Sequence, residues 1–234
     1  MHDVAIRSHI VDRVLARRGR LHLFDQFDAA ETALLVIDMQ PTFVAPGSPA
    51  EVPLSRSIVP NINSLAGSLR EKGAVVIWIT HANEAVGSGS DWDGFFNHFV
   101  ADDVRGRTIA SLTPGSPDTM LWHELQQAPE DLQIFKIRYS ALIAGASSLE
   151  RSLRSRGIRN LLIAGTKTNV CCEATGRDAM MLDFNVVMVS DCLAALSDEE
   201  HLATLETFIQ QFGDVLTWRE AFDLVSRNVS AERT

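Results

Sequence analysis

Several classes of protein are excluded by what this 234-residue chain lacks. Its three cysteines, two of them adjacent, form neither a Cys-x-x-Cys pair nor a zinc-ligand spacing, so neither a disulfide framework nor a zinc site is expected. No apolar run approaches the roughly 20 residues that span a bilayer, and the first residues lack the basic-then-apolar order of a secretion signal. We therefore expect reduced thiols, no membrane role and a cytoplasmic protein.

Basic clusters are missing as well. The formal net charge is -9, and no block of lysine or arginine could form a basic stripe, which argues against nucleic acid as a partner. With 46% hydrophobic and 22% charged residues, the composition is that of one globular domain with a sizeable core.

What the chain does contain is a series of short apolar runs, most of them separated by helical patterns. The runs cover residues 32–39, 74–80, 133–137, 161–165, 186–190 and, more weakly, 214–218. Gly73 and Gly157 can end two of the helices, and Ser197 with Glu200 predicts a capping box at the start of the last. The alternation predicts an α/β fold with a parallel sheet covered on both faces, in which ligands bind beyond the carboxyl ends of the strands.

Two segments depart from this alternation. Residues 1–30 carry an amphipathic pattern that predicts an N-terminal helix and arm, which packs on the main domain (residues 31–228) or on a neighbouring subunit. Residues 82–117 form a long stretch rich in Gly, Ser and Asp that also contains aromatic residues. This insertion is either a lid or pocket wall, or a surface loop fixed by an aromatic cluster. The aromatic residues are Trp92, Phe95, Phe96 and Phe99.

Polar residues of four segments fall at the expected ligand edge of the sheet: Asp38, Thr80-His81, Lys136 and Cys171. Asp38 follows a buried run, Lys136 lies inside another, and Cys171 sits near the start of a helix after a polar turn. Helix N–H groups and the helix dipole would lower the thiol pKa towards neutrality. A carboxylate could take the thiol proton and later protonate a departing amine, and an ammonium could hold both in charged form. Each residue alone has an ordinary explanation, as a helix cap, a solvent-reaching lysine or an inert core cysteine; their shared position favours a nucleophile site.

Three motifs carry a family resemblance. Residues 34–40 read Leu-Leu-Val-Ile-Asp-Met-Gln, residues 135–140 read Phe-Lys-Ile-Arg-Tyr-Ser, and residues 168–171 read Thr-Asn-Val-Cys, followed by Thr175 and Arg-Asp-Ala at 177–179. Over residues 32–224 the chain resembles the isochorismatase-like cysteine hydrolases, which include nicotinamidases, N-carbamoylsarcosine amidohydrolases and ureidoacrylate amidohydrolases. The resemblance implies a catalytic triad of Asp38, Lys136 and Cys171. It also implies a single-domain, Rossmann-like three-layer sandwich with a six-stranded parallel sheet, assembled as a homodimer or homotetramer.

The resemblance further implies a cis, non-proline peptide between Thr166 and Lys167. In this arrangement the backbone N–H groups of Lys167 and Cys171 would form an oxyanion hole. The Lys167 side chain either contacts a substrate anion or points to solvent. Neighbouring helix positions point about 100° apart, so only one of the paired cysteines can face the site. The family spacing, four residues before Thr175, selects Cys171 and leaves Cys172, like Cys192, as a small core residue.

Departures from the family pattern bear on metal use and on reaction type. Metal-binding nicotinamidases resemble Asp-x-His followed by another His after the second strand, whereas this chain has Ile-Thr-His-Ala-Asn at residues 79–83. We therefore expect no metal and no other cofactor, and we interpret His81 as a hydrogen-bonded structural histidine. Isochorismatases themselves commonly lack the cysteine, so Cys171 favours C–N hydrolysis over vinyl-ether cleavage.

The sequence thus predicts a metal-independent cysteine amidohydrolase, acting on C–N bonds other than peptide bonds. Its expected substrate is a small amide, carbamoyl or ureido compound, of the ureidoacrylate, biuret or triuret kind, cleaved through a covalent acyl-enzyme with release of ammonia or an amine. Alternatives are a vinyl-ether hydrolase of the isochorismatase type, a nicotinamidase-like amidase and a non-catalytic binding protein that kept the fold. Tyr139 is either a substrate contact or a packing residue. The other predicted substrate contacts are Asn83, Trp92, Phe96 and Asn169.

Overall fold

A computed structural model describes residues 1–84 and 91–226 of the chain. The helices are α1 (Ser8–Arg18), α2 (Pro41–Val44), α3 (Val59–Lys72), α4 (Asp93–Phe96), α5 (Asp102–Ser111), α6 (Leu149–Arg154), α7 (Glu173–Met181), α8 (Asp198–Gln211) and α9 (Trp218–Leu224). The strands are β1 (Phe27–Asp28), β2 (Thr32–Ile37), β3 (Val75–His81), β4 (Leu132–Lys136), β5 (Asn160–Thr166), β6 (Asn185–Ala194), β7 (Asp214–Leu216) and β8 (Val225–Ser226).

The main sheet has six parallel strands in the order β4-β3-β2-β5-β6-β7. Each of the six apolar runs is one of these strands, so the predicted α/β fold is confirmed. The short strands β1 and β8 pair separately. From β2 the chain winds outward to β3 and β4, then returns to place β5 on the other side of β2. The strand order therefore reverses between β2 and β5, the position at which ligands bind in open α/β sheets.

Helices cover both faces of the sheet. Along β2, Leu35 and Ile37 pack into a core with α6, α7 and α8, whereas Leu34 and Val36 pack into a second core with α3 and α9. Every residue of β2 is buried. Because neither face of the strand meets water, its side chains are apolar in succession rather than in alternation.

Helix ends follow the sequence in part. Gly73 ends α3 in the left-handed conformation, with φ 91°. The Ser197 hydroxyl accepts from the Glu200 N–H as predicted, but the Glu200 carboxylate accepts from the Leu196 N–H instead of completing the box. The reciprocal capping box lies one helix later, between Thr217 and Glu220 at the start of α9.

The N-terminal arm packs on its own domain. Ile10 and Val14 of α1 are buried in the core beside α8. The Arg7 guanidinium and backbone N–H both bond to the carboxylate of Glu206 on α8. The predicted domain limit at residue 228 lies outside the described residues. In the part of the chain that the structure describes, every helix is too short or too polar to span a bilayer.

Candidate active site

An ion pair joins the ends of two strands that are not neighbours. Asp38 is the first residue after β2, and Lys136 is the last residue of β4, with β3 between them. The Lys136 side chain crosses the end of β3 and places its Nζ 2.9 Å from the Asp38 Oδ2, with both side chains almost completely buried. The two residues that the sequence analysis expected to meet are therefore in contact.

Burial and charge act together on this pair. Burial raises the pKa of the Asp38 carboxyl, although the Lys136 ammonium opposes this effect. Burial works against the charged form of Lys136, but Asp38 and Cys171 together outweigh it, so the pKa of Lys136 is raised. Lys136 therefore remains an ammonium, and it keeps a proton-accepting carboxylate at the sheet edge.

The Lys136 ammonium contacts three groups that can accept a hydrogen bond. These acceptors are Asp38 Oδ2, the Arg138 carbonyl oxygen at 3.0 Å and the His81 Nδ1 at 3.2 Å. Burial, together with the charges of Lys136 and Arg138, lowers the pKa of His81 far below its ordinary value. His81 is therefore neutral. It is hydrogen-bonded, as expected of a structural histidine, and it also lines the cavity at the ligand edge where the sequence placed it.

Backbone geometry brings β2 and β5 unusually close at the site. Asp38 has a left-handed backbone, φ 55°, a conformation that aspartate tolerates better than most residues. On β5, opposite Ile37, Gly165 has φ 113°, and a Cβ there would lie 2.0 Å from the Ile37 carbonyl oxygen. Only glycine fits this contact, which sets the separation between Asp38 and the segment that follows β5.

That segment is the nucleophile turn, residues 166–172. The peptide bond between Thr166 and Lys167 is cis, and Thr168–Cys172 forms a π turn in which the Cys172 N–H donates to the Lys167 carbonyl oxygen at 3.2 Å. Single π turns inside helical segments often occur at functional sites. Cys171 lines a cavity, whereas Cys172 is fully buried, as is Cys192. The two adjacent thiols are thus separated as the sequence analysis predicted.

The predicted lowering of the thiol pKa is wrong. Burial, reinforced by the Asp38 carboxylate, raises the pKa of Cys171 well above its ordinary value, and Lys136 only partly opposes this. The helix α7 begins two residues later, at Glu173, and its dipole does not compensate for the loss of water around Cys171. The resting site therefore holds a neutral thiol on the same cavity as the Asp38 carboxylate.

The cavity in front of Cys171 has a volume of about 120 Å³. Asp38, Thr166 and Lys167 line it near the thiol, and His81 and Thr108 add polar groups. Its walls are mainly aromatic and aliphatic. They comprise Phe43, Ala50, Trp92, Phe95, Phe96, Leu112, Tyr139 and Val170.

Three predicted contact residues lie on these walls. Trp92 and Phe96 come from the insertion at residues 82–117, so this segment supplies pocket walls, although its residues 85–90 lie outside the described part of the chain. Trp92 meets Tyr139 edge to face at 4.7 Å. Burial raises the pKa of Tyr139 to about 12, so its hydroxyl stays protonated. The fourth aromatic residue of the insertion, Phe99, is 79% exposed and lines no part of the cavity.

Two other predicted contacts are not on the cavity wall. Asn83 is buried beyond β3, where its backbone N–H bonds to the Leu112 carbonyl oxygen, and Asn169 lies two residues before Cys171 in the π turn. A π turn changes the angle between successive side chains, so sequence spacing did not predict where Asn169 points. Sequence reasoning in turn missed Phe43 in α2, whose only signal is its place five residues after Asp38.

Groups of three or more His, Cys, Asp or Glu side chains that could hold a metal ion are absent from residues 1–84 and 91–226. Cys171, Asp38 and His81 line the same cavity, but the Nδ1 of His81 contacts Lys136 and is therefore not available as a third metal ligand.

Comparisons with known proteins identify the family. A probable inactive nicotinamidase of Arabidopsis thaliana is 34% identical over 180 residues, which are 74% of this chain and 86% of that protein. The structure of a cysteine hydrolase from Pseudomonas syringae pv. phaseolicola aligns with a TM-score of 0.77 and 27% identity, over 91% of this chain and 98% of that one. A nicotinamidase/pyrazinamidase from Bacillus subtilis aligns with a TM-score of 0.67 and 26% identity, over 80% of this chain and 99% of that one. The isochorismatase domain matches residues 32–220, and the chain therefore belongs to the isochorismatase family.

Proposed function

We propose that this protein is a cysteine amidohydrolase that cleaves the C–N bond of a small amide, carbamoyl or ureido compound. The observation that carries the proposal is that a thiol and a carboxylate line one cavity, with a buried ammonium paired to the carboxylate. Asp38 and Lys136 lie at the ends of two strands and Cys171 lies in the turn after a third, and core packing does not require a buried ion pair beside a thiol. Structural relatives named as a cysteine hydrolase and as a nicotinamidase/pyrazinamidase support a hydrolytic role.

In the first half of the reaction the Cys171 sulfur attacks the substrate carbonyl carbon while Asp38 accepts the thiol proton. The C–S bond forms as the carbonyl π pair moves to oxygen. When the tetrahedral intermediate collapses, the C–N bond breaks, and protonated Asp38 returns its proton to the leaving nitrogen, which departs as ammonia or an amine. The product of this half is a thioester on Cys171.

In the second half Asp38 accepts a proton from water, whose oxygen attacks the thioester. The C–S bond breaks, the proton passes back to the sulfur, and the carboxylic or carbamic acid leaves. Lys136 transfers no proton in either half, because it stays an ammonium. Its role is to hold Asp38 in place and to favour the carboxylate when the base is needed.

The backbone N–H groups of Lys167 and Cys171 are the proposed oxyanion donors, because both residues line the cavity beside the thiol. Removing one such donor typically costs about 10²–10³ in rate. Tyr139, Trp92 and Phe96 are proposed walls of the substrate pocket.

For the substrate we propose a compact, flat molecule. A cavity of about 120 Å³ is somewhat smaller than the engineered cavity of roughly 150 Å³ that holds benzene in another protein. Small ureides such as biuret have suitable size and planarity. The aromatic walls favour a second candidate, a nicotinamidase-like activity on a ring carboxamide, since a flat ring packs well between Trp92, Phe95 and Tyr139.

Two rival functions make different demands on the thiol. A vinyl-ether hydrolase would tolerate loss of the Cys171 thiol. A non-catalytic protein would show no turnover with any substrate. The Arabidopsis relative is named a probable inactive nicotinamidase, which makes this alternative worth testing.

The proposal is tested by measuring ammonia release from a panel of primary amides, ureas and ring carboxamides. We expect turnover of at least one compound by the unmodified protein and loss of at least about 10³-fold in Cys171→Ser, because a hydroxyl is a much weaker nucleophile beside the same base. The matched control is Cys172→Ser, the neighbouring buried thiol, which should retain most of the activity. Equal loss in both variants, or full activity in Cys171→Ser, would overturn the assignment.

A further inference from the structure

We propose that His81 presents its Nε2–H to the cavity as a fixed hydrogen-bond donor, and that the preferred substrate carries a second acceptor atom beyond its scissile carbonyl. This inference rests on the proposed amidohydrolase function and concerns the same cavity. It assigns a specificity role to a residue that the sequence analysis interpreted as structural.

The tautomer of His81 follows from its contact with Lys136. The ammonium can only donate, so the His81 Nδ1, at 3.2 Å from Nζ, must be the unprotonated nitrogen. A neutral imidazole carries its single proton on the other nitrogen, which is Nε2. Lys136 stays charged because Asp38 is in contact with it, and so the ion pair fixes the tautomer of His81.

The ring is also held in position. Gln40 brackets the His81 backbone: its Oε1 accepts from the His81 N–H at 2.7 Å, and its Nε2 donates to the His81 carbonyl oxygen at 2.9 Å. The Trp92 ring stacks on the imidazole with 6.3 Å between ring centroids. The Phe43 ring is tilted relative to the imidazole, with 6.5 Å between centroids. A donor held by backbone, ion pair and aromatic neighbours loses little freedom when a ligand binds.

His81 is only 4% exposed and lines the cavity, and within the described residues the hydrogen bond of its ring is the one between Nδ1 and Lys136. An acceptor on the bound molecule is favoured beside Nε2, because a donor left unpaired becomes costly once the ligand has displaced solvent from the cavity. The charges that act on the ring are those of Lys136 and Arg138, both cations that cannot accept a hydrogen bond. The Asp38 carboxylate lines the same cavity, where it is paired with Lys136. A ring nitrogen or a second carbonyl oxygen on the substrate can.

The substrate class that fits is therefore a flat amide with an acceptor a short distance from the scissile group, such as a heteroaromatic carboxamide or a ureide with two carbonyl groups. A pocket built to donate to such an atom discriminates against the isostere that lacks it, because the donor is then buried unpaired. An all-carbon ring should accordingly be a poor substrate.

The first test does not require activity. In the ¹⁵N-labelled protein, long-range ¹H–¹⁵N spectra report which imidazole nitrogen carries the proton, and the His81 signals are those that His81→Asn removes from the set of seven histidines. We expect the neutral Nε2–H form between pH 6 and about 8. In the Cys171→Ser protein, nicotinamide should shift the Nε2 resonance and benzamide should not. An Nδ1–H tautomer, a doubly protonated ring, or equal responses to both compounds would overturn the proposal even if no amide is hydrolysed.

The second test separates the two nitrogens with a matched pair of variants. His81→Asn places an acceptor near the Nδ1 position but removes the outer N–H, whereas His81→Gln places an N–H near the Nε2 position. The readout is the ratio of kcat/KM for the best of the three pyridine carboxamides to that for benzamide. We expect a ratio of about 10–100 in the unmodified protein, close to 1 in His81→Asn and largely restored in His81→Gln.

These outcomes distinguish the two proposals. Absence of turnover by the unmodified protein with every amide would refute the amidohydrolase function while the spectra still decide the role of His81. Turnover with the same ratio in His81→Asn as in the unmodified protein would refute the specificity role and leave the amidohydrolase function standing. Thermal melting of both variants checks that they fold.

Discussion

At the scale of single residues, burial strongly influences the protonation states of the groups in the site. The Lys136 ammonium pairs with the Asp38 carboxylate and also contacts the Arg138 carbonyl oxygen and the His81 Nδ1, and the Cys171 thiol is neutral in the resting protein. In the proposed reaction, attack on the substrate and transfer of the thiol proton must therefore occur together, since a free thiolate is disfavoured in this cavity. The proposed turnover would then depend most directly on the carboxylate.

A pH profile follows from the Asp38 environment. Burial raises the pKa of Asp38, and the base must be ionised to accept the thiol proton, so kcat/KM should fall as pH decreases through that raised pKa. The acid limb should thus lie above the ordinary carboxyl value of about 4. Asp38→Asn should lower kcat/KM by about 10²–10⁴-fold. The control is Asp25→Asn, at a carboxylate that is 90% exposed and far from the cavity in sequence.

An acid limb at or below the ordinary carboxyl pKa, or an Asp38→Asn protein with the unmodified profile, would contradict this assignment of the base.

The residues of the site differ in how readily the sequence predicts them. Asp38 and Lys136 break the apolar pattern of buried strands, and a charge in such a place needs a partner. The thiol pKa was mispredicted because helix geometry is legible in sequence, whereas the degree of desolvation depends on walls contributed by distant segments. The same holds for Asn169, whose direction is set by a π turn that no sequence pattern indicates.

At the scale of elements, the close approach of β2 and β5 positions the chemistry. Gly165 lies opposite Ile37 in the sheet register, immediately before the nucleophile turn. The contact leaves no room for a side chain, and it lies one residue from both Asp38 and the cis peptide. The spacing between two strands thus determines whether base and nucleophile can meet.

Gly165→Ala should therefore be strongly destabilising. An added Cβ would lie 2.0 Å from the Ile37 carbonyl oxygen and would also face a positive φ, so we expect a loss of at least about 3 kcal/mol in the free energy of unfolding. The matched control is Gly67→Ala within α3, where a Cβ meets nothing within 4 Å and alanine should add about 0.5–1 kcal/mol. Chemical denaturation measures both, and similar values for the two variants would contradict the role of the β2–β5 contact.

Element positions were largely predictable. The strand bounds fall within a few residues of the apolar runs, because burial on both faces leaves a continuous signal. The helices α2, α4 and α5 were not predicted. Some of their residues line the cavity, and the apolar residues do not form the periodic stripe by which a helix is recognised in sequence.

At the scale of the whole molecule, the N-terminal arm connects remote parts of the chain. His2 stacks on His201 of α8, and the His201 Nδ1 lies 2.9 Å from the Thr168 hydroxyl in the nucleophile turn. Burial lowers the pKa of His201 to about 3, so this ring is neutral at ordinary pH. Arg7 and Glu206 add a second attachment.

Assembly into a homodimer or homotetramer stays a prediction, which sedimentation equilibrium can decide.

Arg7→Ala should release the arm. Arg7 is the partner of a carboxylate that is only 5% exposed, and its hydrogen bonds hold the pKa of Glu206 below the usual range. Without them we expect faster tryptic cleavage within α1 at neutral pH, followed by mass spectrometry. Arg20→Ala serves as the control, because its partner Asp25 is 90% exposed and the pair should contribute little. Equal cleavage rates in the two variants would mean that apolar contacts alone hold α1.

The raised thiol pKa at Cys171 has a consequence for chemical durability. Peroxide and alkylating reagents attack the thiolate, and a thiol that is 5% exposed and neutral between turnovers offers them little of it. Such an enzyme would tolerate oxidative conditions that inactivate cysteine enzymes with permanently ionised nucleophiles. Slow alkylation of Cys171 would then reflect its burial and neutral thiol, and it would not show that the site is inactive.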